Sequence, residues 1–235
     1  MTAPKRFYQS ASAEPAQGGF QLLLDGKRAR TPKGGYLVVP SRALADAIAE
    51  EWNAQGEQID WQTMPLTGLA HAAIDHVRAA HTRFVEQLAG YAQHDLICYR
   101  AEHPDKLIAA QAAAWDPLIR WAAERYGAKL AVIAGVTHKP QPKETLDAMR
   151  RAVAEYDPFA LAGLTAAVTL TGSVVIGLAV AERRLDPAAA WAAARVDETH
   201  QSAQWGEDEE AAARSARMGA GLANAARFMA LLAQP

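Results

Sequence analysis

Residues 158–181 contain no charged side chain, and that stretch limits the possible fold more than any other part of the chain. It is long enough to cross a bilayer, which takes about 20 apolar residues in one helix. Thr165, Thr169, Thr171 and Ser173 interrupt it, however, and Thr171-Gly172-Ser173 reads as a break between two shorter elements. Two helices buried in a bundle suit the pattern better than one span. A helix that is apolar all round must be enclosed by others, and the flanking sequence can supply them. After about His81 the pattern is helical and Ala-rich, with Asp-Pro pairs at Asp116-Pro117, Asp157-Pro158 and Asp186-Pro187. An Asp N-cap before a Pro at the first helical position is a start signal. The first pair either starts a helix or kinks a longer one. The stretch 129–136, punctuated by Gly127, Gly135, Pro140 and Pro142, is a short strand or a loop. The last two helices are expected over about 187–204 and 208–232, joined at Trp205-Gly206.

The N-terminal part has a different period. Phe20 to Leu24, Asp25-Gly26 and Lys27 to Thr31 form a hairpin pattern, because Asp-Gly suits a type I′ turn between twisted strands. Pro32-Lys33-Gly34-Gly35 then turns the chain into Tyr36 to Val39, completing a small antiparallel meander. Ser41 can cap the next helix, whose Leu44, Ile48 and Trp52 make a buried stripe, and Gly56 is placed to end it. The expectation is an α+β protein: an N-terminal α+β domain over 1–80 and an all-α helical domain over 81–235.

Composition removes several function classes. Half the residues are hydrophobic (50%), enough for a sizeable core, and the net charge of −2 provides no positive field for nucleic acid or an anionic membrane. The one cysteine, Cys98, leaves no internal disulfide framework and suits a reducing compartment. The first residues show no apolar or Arg-rich leader, so the chain is expected in the cytoplasm. Signatures for phosphate cradling, dinucleotide binding, zinc hydrolysis and serine nucleophiles are missing from the sequence.

The remaining candidates for chemistry are few. His71 and Asp75 lie one turn apart with His76 beside them, which allows a metal-assisted hydrolase if a third ligand exists. Without one, solvated or core-edge histidines are the better reading, and no metal or cofactor is expected. Lys27, Arg28, Arg30 and Lys33 near Gly34-Gly35 could cradle a phosphate, but charged hairpin edges commonly serve to prevent aggregation. Cys98, among apolar neighbours, behaves as a small hydrophobe.

The strongest surface signal is the seven-residue spacing of Trp191, Glu198 and Trp205, which on one helix puts a carboxylate on the same stripe as two indoles. Ala194, Arg195, Gln201 and Ser202 on that stripe are too small or polar for an ordinary core seam. Glu198 is therefore either paired internally, with Arg100, Arg120 or Arg195, or directed at a partner. Glu207-Asp208-Glu209-Glu210 follows directly; it can serve the N-terminal dipole of the last helix or belong to the same interaction surface.

The block Ser41-Arg42-Ala43-Leu44-Ala45 through Glu50-Glu51-Trp52-Asn53-Ala54-Gln55-Gly56-Glu57, Ile59 and Met64-Pro65-Leu66-Thr67 resembles the family of assembly chaperones for the alpha subunit of F-type ATP synthase. Gly19-Phe20 to Asp25-Gly26 with Thr31-Pro32, Asp95 to Arg100 with Trp115-Asp116-Pro117, and Gln201 to Glu207 around Trp205-Gly206 agree in order and spacing. The resemblance implies a non-catalytic protein that holds the newly made alpha subunit, prevents its aggregation and yields it to beta, without nucleotide or metal. It also implies a functional acid before the Trp-Gly pair, matched here by Glu198 with Asp197 beside it. The partner-binding set expected is Glu198, Asp197, Gln201, Trp205, Glu207, Asp208, Glu209 and Glu210, while Leu44, Ile48 and Trp52 belong to the core. A monomer of bacterial type is expected, leader-bearing relatives working in the mitochondrial matrix.

Overall fold

The computed structural model describes residues 4–135, 139–206 and 208–234. Strands β1 (Ala11–Ala16), β2 (Gly19–Leu24), β3 (Lys27–Arg28) and β4 (Val38–Val39) precede helices α1 (Arg42–Asn53), α2 (Pro65–Ala72) and α3 (His81–Gly90). Short strand β5 (Tyr99–Arg100), helix α4 (Asp105–Tyr126) and strand β6 (Ile133–Ala134) follow. The rest is helical: α5 (Lys143–Ala154), α6 (Pro158–Thr171), α7 (Val174–Ala181), α8 (Pro187–Ala194), α9 (Val196–Trp205) and α10 (Glu209–Leu232). Antiparallel strands followed by a mostly helical chain make this an α+β protein.

The described residues fall into two compact units. One holds those up to His81 with Asp157–Gly163 and those from Arg227 onward; the other holds those of Thr82–Tyr156 and Leu164–Ala226. All of 81–235 is expected from the sequence in one helical domain, whereas Asp157–Gly163 and the end of α10 group with the N-terminal residues. A Cβ added to Gly163 would lie 2.5 Å from the Met229 side chain. Such long-range packing leaves no trace in local periodicity.

In the first unit the Asp-Gly turn is as expected: Asp25 and Gly26 both have positive φ, 48° and 74°, which is the type I′ requirement. Leu23 pairs with Arg28 and Leu24 with Lys27 across it. β4 joins the same edge of β2, with Phe20 opposite Val39, and β1 lies along the other edge. β1 is not among the strands expected from the sequence, because Ala11-Ser12-Ala13-Glu14-Pro15-Ala16 has no β-branched or aromatic residue and contains a proline; its pairing with β2 creates the strand.

Ser41 caps α1 by accepting from Leu44 N–H at 3.2 Å and also donates to the Leu231 carbonyl at 2.7 Å. Leu44 and Ile48 are fully buried and Trp52 nearly so, as expected of that stripe. The helix does not run to Gly56. It ends at Asn53, whose amide exchanges two hydrogen bonds with the backbone of Ala11 at the start of β1. A side-chain anchor to a strand replaces the expected glycine stop.

In the second unit α4 packs against α5, α7 and α9. Gln111, Trp115, Leu118 and Ala122 form its buried stripe. Asp116-Pro117 lies inside this helix and does not start one, while Asp157 and Asp186 cap α6 and α8, accepting from Phe159 N–H at 2.8 Å and Ala189 N–H at 2.7 Å. Thr171-Gly172-Ser173 does break the uncharged stretch: α6 ends at Thr171, Gly172 has φ +68°, and Ser173 caps α7 through Ile176 N–H. No helix among the described residues is long and apolar enough to cross a membrane. Within the stretch 129–136, Ile133–Ala134 pairs in parallel with Tyr99–Arg100, while Val136 lies outside the described residues.

Candidate protein-docking site

The expected single helix over 187–204 is two. At Arg195 the backbone turns to φ −120°, ψ 19°, separating α8 from α9. The cause is a side chain from another helix: the Trp115 indole N–H donates to the Ala193 carbonyl at 2.7 Å, holding the last turn of α8 in a buried bond. Trp191, Glu198 and Trp205 therefore do not share one straight stripe. Trp191 and Glu198 still line the same open cleft of about 620 Å³, with Arg195, Ser202 and Asp208, whereas Trp205 lies outside it.

Trp191 forms one wall. An added Cβ at Gly219 would lie 3.1 Å from the indole, so a side chain larger than hydrogen there would crowd α10 against it. The Arg195 guanidinium sits 5.7 Å from the Trp191 ring centre and donates to Glu198 Oε1 at 2.9 Å. Of the internal partners considered for Glu198, Arg195 is the one that pairs with it; Arg100 instead reaches Asp116 at 2.9 Å and lies over the Trp115 ring. The Glu198 side chain nevertheless keeps 44% of its surface exposed, against 28% for Arg195. The carboxylate is paired but reachable by water.

The other expected contact residues differ in their surroundings. Asp197 is engaged inside the unit: it accepts from the Gln111 amide at 2.6 Å, and Gln111 in turn accepts from Ala101 N–H at 2.8 Å. Gln201, Glu209 and Glu210 are exposed, and Trp205 is 85% exposed, the most open large hydrophobic side chain among the described residues. Asp208 caps α10 by accepting from Ala211 N–H at 3.1 Å, so capping accounts for part of the acidic run. Glu207 lies outside the described residues.

Gln111 and Trp115, one turn apart on α4, position the site; of the two the sequence marks only Trp115, through the family resemblance, and neither for this role. Their signal was a polar side chain on the buried stripe of an Ala-rich helix, and its partners are more than eighty residues away for Asp197 and close by for Ala101. Asp95, which the sequence marks only as part of the family resemblance, has a structural role of its own. Fully buried, it accepts from Val174 N–H at 2.8 Å at the start of α7, and burial pushes its pKa up to about 6.

Other candidates for chemistry are committed elsewhere. The Asp75 carboxylate accepts from the Thr31 hydroxyl at 2.5 Å and from Lys33 N–H at 3.1 Å. Burial lowers the proton affinity of His71, whose ring lies 6.4 Å from that of Trp61. No metal-holding group of acids, histidines or cysteine occurs among the described residues. Cys98 is fully buried, and that burial raises its thiol to about 12.

The block that carries the family resemblance is a clasp. α2 begins at Pro65 without a cap of its own, and Glu51 on α1 supplies one, accepting from Leu66 N–H and Thr67 N–H at 2.8 Å each and from the Thr67 hydroxyl at 2.7 Å. Gln55 extends it, donating to the Thr63 hydroxyl at 3.0 Å and accepting from Asp60 N–H at 2.8 Å. Glu-Glu-Trp and Met-Pro-Leu-Thr thus belong together for structural reasons.

Comparison with known proteins agrees. Residues 5–123 match the model of a family described as ATP12 chaperone protein. The crystal structure of Atp12 from Paracoccus denitrificans is 43% identical and superposes with a TM-score of 0.93, covering 97% of this chain and 98% of that one. A protein of Agrobacterium tumefaciens is 40% identical, with a TM-score of 0.93 over 97% of this chain and 86% of that one. The Schizosaccharomyces pombe protein called atp12, mitochondrial, is 24% identical over 219 residues, 88% of this chain and 75% of its own. With a clasp built from the family's signature block and a match over half its length and more, this chain belongs to the ATP12 chaperone family.

Proposed function

We infer that this protein is a non-catalytic assembly chaperone of F-type ATP synthase that holds the unassembled alpha subunit and prevents its aggregation until alpha meets beta. The observation that carries the reading is the state of Glu198: its charge is matched by Arg195, yet nearly half its side chain remains open in a cleft walled by Trp191. A pair of this kind can be exchanged for a partner's donor at modest cost, whereas a sealed one could not. Trp205, 85% exposed beside Asp208, Glu209 and Glu210, supplies an apolar anchor next to fixed negative charge.

Such a surface suits a holdase, which has to cover apolar subunit surface and still release it. Charge sets register and encounter rate while a limited aromatic centre supplies stability. On this reading Glu198, Gln201, Trp205 and the acids from 207 to 210 meet alpha directly. Asp197 acts through the Gln111 link that holds α9 on α4. The protein works as a cytoplasmic monomer and needs no nucleotide or metal.

Co-expression with the isolated alpha subunit tests the proposal. The expected result is a soluble one-to-one complex in place of alpha aggregates. Alpha that aggregates to the same extent with and without the protein overturns it.

A further inference from the structure

The N-terminal unit carries a cleft of opposite character to the acidic surface on α9 and α10. About 360 Å³ in volume, it is floored by Tyr8, Leu24, Ala29 and Trp52, with Phe7 at its mouth. These floor residues are all buried, whereas Phe7 is 71% exposed and its ring meets Tyr8 edge-on at 5.4 Å. A phenylalanine left open against a buried aromatic floor makes an apolar contact available to a partner.

The rim is cationic. Lys27, Arg28 and Arg30 all line it and are exposed. Tyr36 holds both guanidinium groups over its ring, at 5.2 Å for Arg28 and 4.4 Å for Arg30, and Arg30 is fixed further by donating to the Gly34 carbonyl at 2.7 Å and the Tyr36 hydroxyl at 3.1 Å. No carboxylate among the described residues is within ion-pair distance of these three cations. Asp25, the acid at the rim, is already engaged by Ser10 N–H at 2.9 Å and Gln9 N–H at 3.0 Å, which with a smaller contribution from the Lys27 charge hold its pKa below the usual value. The result is an apolar slot with pre-positioned, unneutralised guanidinium groups, which match carboxylates in geometry as well as charge.

We propose that this cleft docks a protein segment in which a large apolar side chain is flanked by carboxylates. The apolar residue enters beside Phe7 and the flanking acids meet Lys27, Arg28 and Arg30. The slot has room for one or two side chains and an apolar floor, which favours a short peptide with one large apolar residue over a nucleic acid strand. It is a site separate from the α8–α10 surface and does not depend on the identity of the partner there.

The test titrates the full-length protein into a fluorescein-labelled hexapeptide, Glu-Asp-Leu-Phe-Glu-Glu, and reads anisotropy. Saturable binding below about 1 mM is expected, weakened by about 0.5 M salt. Binding should fall about tenfold in Arg28→Glu/Arg30→Glu, and by a similar factor in Phe7→Ala and in Lys27→Glu. The latter two variants remove no buried group, so they keep the test valid if the double variant fails to fold. Equal binding of Gln-Asn-Leu-Phe-Gln-Gln, unchanged binding by folded Phe7→Ala and Lys27→Glu, or no binding at all overturns the proposal. So does tighter binding of an oligothymidine, or a peptide-sensitive dimer of the protein seen by sedimentation.

Discussion

Replacing Glu198 by Lys separates a docking role from a structural one, because the structure limits what the change can cost the fold. The Arg195–Glu198 pair is an i,i+3 contact with both side chains partly exposed, worth about 0.3–0.5 kcal/mol. Turning attraction into repulsion adds a similar amount. Glu198 also stands in the first turn of α9, where a negative charge contributes about 0.3–1 kcal/mol against the dipole. The loss comes to about 1–2 kcal/mol, small beside the roughly 5–15 kcal/mol that stabilises a folded protein. For a chain of this size that is a drop in Tm of about 2–8 °C. Binding should respond far more strongly, since reversing a charge that is desolvated against a partner costs about 2–5 kcal/mol, at least thirtyfold in Kd. The assay pairs a thermal melt with titration of purified alpha subunit and a light-scattering measurement of alpha aggregation. A variant that melts within the expected range but still binds alpha within threefold of the parent and suppresses aggregation refutes the role given to Glu198. Trp205→Ala, at a side chain 85% exposed, should leave Tm unchanged and weaken alpha binding about tenfold or more.

Two further changes probe the scaffold. Trp52→Ala removes a side chain that is 4% exposed and packed edge-on against Tyr8 and Trp61; about 3–5 kcal/mol should be lost in urea unfolding, while the fraction that remains folded binds alpha normally. Loss of alpha binding in the folded fraction would place Trp52 at the interface instead. Asp95→Asn should change the pH dependence of stability. Burial raises the carboxyl from 3.8 to about 6 in the folded protein, so its contribution is fully present below about pH 4 and is lost as pH rises through about 6, a difference of about 3 kcal/mol. Urea unfolding across that window should show the parent losing about that much more stability than Asp95→Asn, and parallel profiles would refute the assignment.

Local chemistry made a large part of this molecule legible from its residues. Asp25-Gly26 demands positive φ at two successive positions and obtains it; Asp157 and Asp186 before prolines start helices; Thr171-Gly172-Ser173 divides an uncharged run into two helices. The stripe of Leu44, Ile48 and Trp52 was readable for the same reason, because one turn of helix couples residues four apart. Each of these depends on neighbours within a few positions.

Tertiary structure decided whatever depended on a distant partner. β1 is a strand because β2 pairs with it, and α1 ends at Asn53 because an amide reaches back to Ala11. The helix carrying Trp191 and Glu198 breaks at Arg195 because Trp115, on another helix, claims the Ala193 carbonyl. That one bond sets Trp191 on a different helix from Glu198 and Trp205, so the single stripe predicted by a period of 3.6 is divided at Arg195. The sequence alone determined which residues could form a docking face, since the types and their local spacing are written there. Where α8 ends and which way Asp197 is committed depended on hydrogen bonds across more than seventy residues, Trp115 to Ala193 and Gln111 to Asp197, and no local pattern encodes those.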